Sequence, residues 1–169
     1  MILKIPMLLS FAGAPLSAVL QVETATVGGA ATADADVIVT VTAAGMTGSP
    51  KAINVAVENG DSAATVAGLI RAALAADSAV AALFTVGGSS ATVTLTRITS
   101  AANDATINIA IDGTSNSTGV PDASSSASTT AGVYGTYRGC PNGTYCADTT
   151  NGKLYANNGT TRLPSWLAL

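Results

Sequence analysis

The chain has 169 residues and a net charge of −3; only 10 % of its residues are charged, against 48 % hydrophobic and a mean hydropathy of +0.44. Ordinary soluble domains carry roughly 25 % charge, so a surface this poor in charge suits a protein largely covered by copies or partners. The seven Lys/Arg are scattered and histidine is absent, which argues against direct nucleic-acid binding, His-based general base or nucleophile chemistry, and His-ligated zinc.

The first twenty residues, MILKIPMLLSFAGAPLSAVL, imitate a secretion signal with one Lys, an apolar run and small residues. Pro6 and Pro15 interrupt that pattern, and the segment reads as an apolar N-terminal arm. Ile2, Leu3, Ile5, Met7, Leu8, Leu9 and Phe11 should lie on the arm's own domain or on a neighbouring molecule. No apolar run reaches the roughly 18 residues of a membrane-spanning helix.

From Val22 the period becomes two. VETATV (22–27), DVIVTVT (36–42) and AINVAV (52–57) predict strands, with Val37, Val39 and Val41 sharing one face and Ile53, Val55 and Val57 another. GMTGSP (45–50) is turn chemistry. Asp61 or Ser62 caps a helix in which Val66, Leu69, Ile70, Ala73 and Leu74 form one apolar face. Gly68 is expected to allow that helix a close approach to a sheet. Asp77 caps a second, short helical turn through Phe84. ATVTLTRI (91–98) and ATINIAI (105–111) resume the strands, joined by a loop, TSAAND (99–104).

These elements predict an α+β domain over 21–112, a sheet with one main helix on one face in the order β-β-β-α-β-β. Residues 113–131, rich in Ser and Thr, read as a linker or extended strap. Residues 132–169 hold all four tyrosines and the lone tryptophan and read as a small β module whose aromatics build a miniature core. Tyr134, Tyr137 and Trp166 are the alternative candidates for stacking on a glycan.

Within this module Asn151-Gly152 after Asp148 predicts a hairpin with a type I′ turn, since both residues tolerate positive φ. Cys140 and Cys146, separated by PNGTY, allow a local disulfide or two unpaired, half-buried thiols. The aspartates sit singly at predicted caps and turns, so no metal site is expected. With no acid–base pair in a suggestive pattern, no catalytic residue and no cofactor are expected, and the chain does not read as an enzyme.

The ending GTYCADTTNGKLYANNGTTRLPSW resembles a recurring C-terminal pattern of tailed-bacteriophage virion proteins, notably head-decoration, head-fibre and tail-fibre components. Gly143, Thr144, Asp148, Thr149, Thr150, Asn151, Gly152, Leu154, Tyr155, Asn157, Gly159, Thr160, Pro164 and Trp166 carry the likeness. Cys140 and Cys146 depart from it. The segment from Ser49 to Ile111 is similar to a strand–helix–strand–strand module of phage virion proteins and, more loosely, to modules inserted in flagellins. The resemblance implies a virion structural protein made in the host cytoplasm. A capsid decoration (cement) protein on the outer head surface is the first expectation: a homo-oligomer, expected as a trimer, binding the major capsid protein through the N-terminal arm. A tail or head-fibre adhesin and a tail-tube or tail-completion subunit are the alternatives.

Overall fold

A computed structural model describes residues 8–137 and 139–169, apart from the side chain of Phe11. Its elements in chain order are β1 (Leu8–Phe11), β2 (Val22–Thr26), β3 (Ala35–Thr42), β4 (Lys51–Val57), α1 (Ala63–Ala76), α2 (Ser78–Ala81), β5 (Phe84–Gly87), β6 (Thr92–Arg97), β7 (Asn108–Asp112), β8 (Ala127–Thr130), β9 (Tyr145–Asp148), β10 (Lys153–Asn157) and β11 (Trp166–Ala168). The fold is mostly β and compatible with an α+β class. Two compact units divide it.

The larger unit comprises Gln21–Ile98 and Asp104–Thr130. In place of the expected single sheet it has two, ordered β5-β6-β2-β8 and β4-β3-β7, both antiparallel. Alternation decides their faces: Val37, Val39 and Val41 of β3 are fully buried, and Val39 sits between Ile53 of β4 and Ile111 of β7. On β6, Val93 and Leu95 are buried while Thr92, Thr94 and Thr96 are half-buried.

Helix α1 closes this core. Ser62 caps it, its Oγ accepting from the Thr65 N–H at 3.2 Å. Val66, Ala67, Ile70 and Leu74 are buried, whereas Leu69 stays exposed. The close approach expected of Gly68 is not seen: a Cβ on Gly68 would meet only the Arg71 guanidinium, at 3.6 Å, while the neighbouring Ala67 is buried. Asp77 ends α1 and starts α2, accepting from the Ala79 and Val80 N–H groups while Lys51 Nζ sits 2.7 Å from its other oxygen. The turn it caps stops at Ala81, and Phe84 opens β5 rather than finishing a helix. Ladder pairing with β6 and the Arg97 guanidinium 5.6 Å from its ring centroid outweigh the i,i+4 spacing with Val80.

Residues 113–131 take the strap form. Thr118 and Val120 are fully buried, Ile111 and Ala123 exchange backbone hydrogen bonds at 2.7 and 2.8 Å, and Ala127–Thr130 pairs with β2. Few large apolar residues are needed, because Asp112, Asp122, Thr118 and Ser126 satisfy the backbone locally. Gly28 and Gly29 leave room for Pro121; a Cβ on Gly29 would come within 3.0 Å of its ring.

The smaller unit comprises the described residues of Met1–Leu20, with Thr99–Asn103 and Ala131–Leu169. Two expected boundaries therefore shift. The arm is part of the C-terminal module, where β1 pairs parallel with β9, and the loop after β6 lends its first residues to the same unit. Ser100 is buried there, with its hydroxyl against the Tyr134 and Arg162 carbonyls.

Candidate functional site

Among the described residues, four of the six exposed leucines lie on or at the end of the smaller unit's sheet, β1-β9-β10-β11; Leu16 and Leu69 lie elsewhere. Successive side chains alternate across it. On the inner face Cys146, Asp148 and Asn157 are essentially fully buried. The register then places Leu8, Tyr145, Leu154 and Leu167 on the opposite face. Leu8 is 64 % exposed, Leu154 39 %, Leu167 55 % and Leu169 67 %. The Leu169 N–H donates to the Leu154 carbonyl at 2.8 Å, extending the ladder past β11. Leu8, Tyr145, Leu154 and Leu169 line an open, apolar hollow of about 500 Å³.

Polar clamps brace this sheet on its inner side. The Asn157 amide donates to the Cys140 and Pro141 carbonyls and accepts from the Gly159 and Ser165 N–H groups, both at 3.0 Å. Its backbone carbonyl receives the Gly143 N–H and its own N–H reaches the Thr144 carbonyl. Asp148 gathers four donors: the N–H groups of Gly13, Thr150 and Asn151, and the Asn151 amide. The Asn151 side-chain bond, followed by the backbone N–H groups, holds the Asp148 carboxyl below its usual range.

The hairpin differs from its expected form for the same reason. Lys153 pairs directly with Asp148, so Thr149–Gly152 form a four-residue loop. Gly152 alone takes positive φ there, at 66°, and Asn151 does not. A type I′ turn needs both. The carboxylate of Asp148 organises the loop where a tight turn was expected.

Cys140 and Cys146 are free and both buried. Burial pushes both thiols up, and the Asp148 charge adds to the rise at Cys146, so neither is a ready thiolate nucleophile. The disulfide expectation gives way to two buried, unpaired thiols.

No described aromatic of the smaller unit is fully buried, though Tyr155 and Trp166 lie half-buried on the sheet's inner face. Tyr134 is exposed, Tyr145 lines the outer hollow, and neither Tyr137 nor Trp166 is fully buried. Tyr137 and Trp166 do meet edge to face, centroids 6.2 Å apart, with the Tyr137 hydroxyl donating to the Ser10 carbonyl and Trp166 Nε1 to the Thr136 carbonyl. Burial, reinforced by Cys146 and Cys140, raises the Tyr137 hydroxyl above its usual range. What the smaller unit does bury includes Thr144, Asp148 and Asn157 together with Cys140, Cys146, Pro15 and Pro164.

Of the arm residues expected to bind a partner, Leu8 belongs to the apolar face, and Leu9 is half-buried on the other side of β1. Phe11 lies in β1, and Ile2, Leu3, Ile5 and Met7 lie outside the described residues. Leu154, Leu167 and Leu169 were missed, although the alternation of KLYAN and WLAL carries them. Among the described residues there is no cluster of three metal-ligating side chains, and no helix is long and apolar enough to cross a membrane. Compared with known proteins, the chain matches no family model, no curated protein and no solved structure.

Proposed function

We propose that this chain is a structural protein of a tailed-phage virion, a capsid decoration protein that docks on the major capsid protein shell and packs against copies of itself, as a trimer. The observation that carries the reading is the leucine-rich outer face of the β1-β9-β10-β11 sheet, apolar and exposed on a chain with few charges. Contiguous exposed apolar surface marks an interaction site. Covering a leucine side chain completely is worth ~1.5–3 kcal/mol relative to leaving it in water, so a few such contacts per copy, repeated over a shell, hold neighbouring capsid subunits together. No group at this face supplies chemistry; the mechanism is burial.

The direct test is to add purified protein to phage heads stripped of it and measure bound copies per head. Wild type is expected to bind in hundreds of copies, as a repeated shell position requires, and Leu154→Lys with Leu167→Lys to abolish binding while remaining folded. Binding unchanged by both substitutions would remove this face as the contact.

A second reading, a fibre adhesin for a host glycan, is favoured by the half-exposed Tyr137–Trp166 pair. Stacking on a sugar would make glycan binding vanish in a folded Trp166→Ala variant, and a few copies per particle would be found.

A further inference from the structure

Four Asn-Gly pairs, at 59–60, 142–143, 151–152 and 158–159, occur in the chain, and all four asparagines are exposed. Asn-Gly is chemically the least durable peptide step. The glycine nitrogen, once its proton has gone to solvent base, attacks the preceding asparagine's Cγ. The Cγ–Nδ2 bond breaks, ammonia leaves with a proton from water, and a five-membered succinimide remains. Water then opens the ring to aspartate or isoaspartate, adding one negative charge. Glycine matters because it puts no side chain in the way of the attack.

In this fold every one of those four nitrogens is occupied. The Gly60 N–H donates to the Ala31 carbonyl at 3.0 Å, Gly143 to the Asn157 carbonyl at 2.8 Å, and Gly152 to the Asp148 carbonyl at 2.9 Å. Gly159 differs: its N–H donates to a side chain, Asn157 Oδ1, at 3.0 Å. A nitrogen held this way must break its hydrogen bond and rotate its peptide before it can lose a proton and reach Cγ. Reaction therefore requires local opening.

We infer that the four pairs are latent deamidation sites which the folded backbone keeps silent, with Asn157 as the positioning residue that protects Asn158. Exposure alone gives the opposite expectation, since all four asparagines face water. Asn157 is itself almost fully buried, with both ends of its amide engaged, so the lock on Gly159 is a built part of the smaller unit.

The test is peptide mapping by mass spectrometry of the full chain aged in mildly alkaline buffer, folded and in concentrated urea, counting the gain of nearly one dalton at each site. All four sites are expected to react roughly tenfold more slowly, or slower still, in the folded protein, as breaking a hydrogen bond within a packed loop demands. Equal folded and denatured rates at the four sites would overturn the inference. In Asn157→Ala, Asn158 should accelerate towards its denatured rate. Asn142 and Asn151 should stay slow, because their glycines rely on backbone carbonyls. An Asn158 rate unchanged from wild type would remove Asn157 from the role. If the variant accelerates Asn142 and Asn151 together with Asn158, the unit has unfolded and its sites have become reactive as unfolding predicts; the wild-type comparison then decides.

Discussion

The two units solve the problem of cohesion differently. The larger one buries Val37, Val39, Val41, Ile70, Leu74, Leu95, Ile109 and Ile111, with Gln21, Glu23 and Thr118 as its buried polar side chains, and leaves the threonines of β6 half-exposed. The smaller one buries Asp148, Asn157 and Thr144, and leaves Leu8, Leu154, Leu167 and Leu169 in water. The inversion shows where free energy is unspent. An apolar side chain already covered by its own fold has no more area to give a partner, whereas an exposed leucine on a rigid sheet has. Polar clamps can set a backbone accurately while contributing less per residue than an apolar core.

The largest expected effect tests the apolar half of that contrast. Leu74→Ala removes a side chain with no exposed area from the face of α1 and should cost ~2–5 kcal/mol, read as a lower urea midpoint with faster amide exchange in β3 and β6. A loss below ~1 kcal/mol would mean that the helix is not what seals the two sheets.

Asn157→Ala tests the polar half. It strands the Gly159 and Ser165 N–H groups and the Cys140 carbonyl, an expected loss of ~1–3 kcal/mol, less where water reaches the vacated space. Amide exchange at Gly159 and Ser165, whose N–H groups lose their acceptor, is the local readout. Stability equal to wild type would make the apolar packing around Pro15 and Pro164, rather than the clamp, the source of cohesion.

How well the chain could be read follows the same division. The apolar core announces itself by period: the alternation in DVIVTVT and ATVTLTRI and the three-and-four spacing of α1 lead straight to β3, β6 and the buried helix face. Elements held by hydrogen bonds leave no such trace. Strand β8 is Ala-Ser-Thr-Thr, fully exposed and formed because β2 offers its edge. β5 follows a cap that looked like the start of a longer helix. Of the candidate site, Leu8 is legible in the sequence, but nothing local ties the arm to the tail whose sheet it joins. That parallel pairing of β1 with β9 spans most of the chain, and no local pattern encodes it. The Asn151-Gly152 pair marks its turn correctly and the turn type incorrectly, since the Asp148 carboxylate organises that loop.

Asp148 makes a smaller, pH-dependent prediction. Its folded pKa lies below the ordinary 3.8, chiefly through the Asn151 side chain and the surrounding N–H donors. A depressed folded pKa means that the unfolded state binds the proton more readily. The stabilisation is therefore complete above the unfolded value and is lost as pH falls through the folded one. Acid unfolding of wild type against Asp148→Asn should show it: the variant is less stable at neutral pH, and its stability is flatter below pH 3.8. Parallel acid limbs would place the sensitivity at Asp77, Asp104, Asp112 or Asp122, whose carboxyls are also lowered.

The smallest effect on stability carries the most weight for function. Leu154→Lys and Leu167→Lys replace exposed side chains on the outer face, so each should change folding free energy by no more than ~0.5 kcal/mol. If the contrast between the units is real, the same two substitutions that leave the urea midpoint in place should abolish attachment to stripped heads and weaken self-association in sedimentation. A marked loss of stability in either variant would mean that these leucines already serve the fold, and the smaller unit would then resemble the larger one: its apolar area used internally, with nothing left over to join it to a shell.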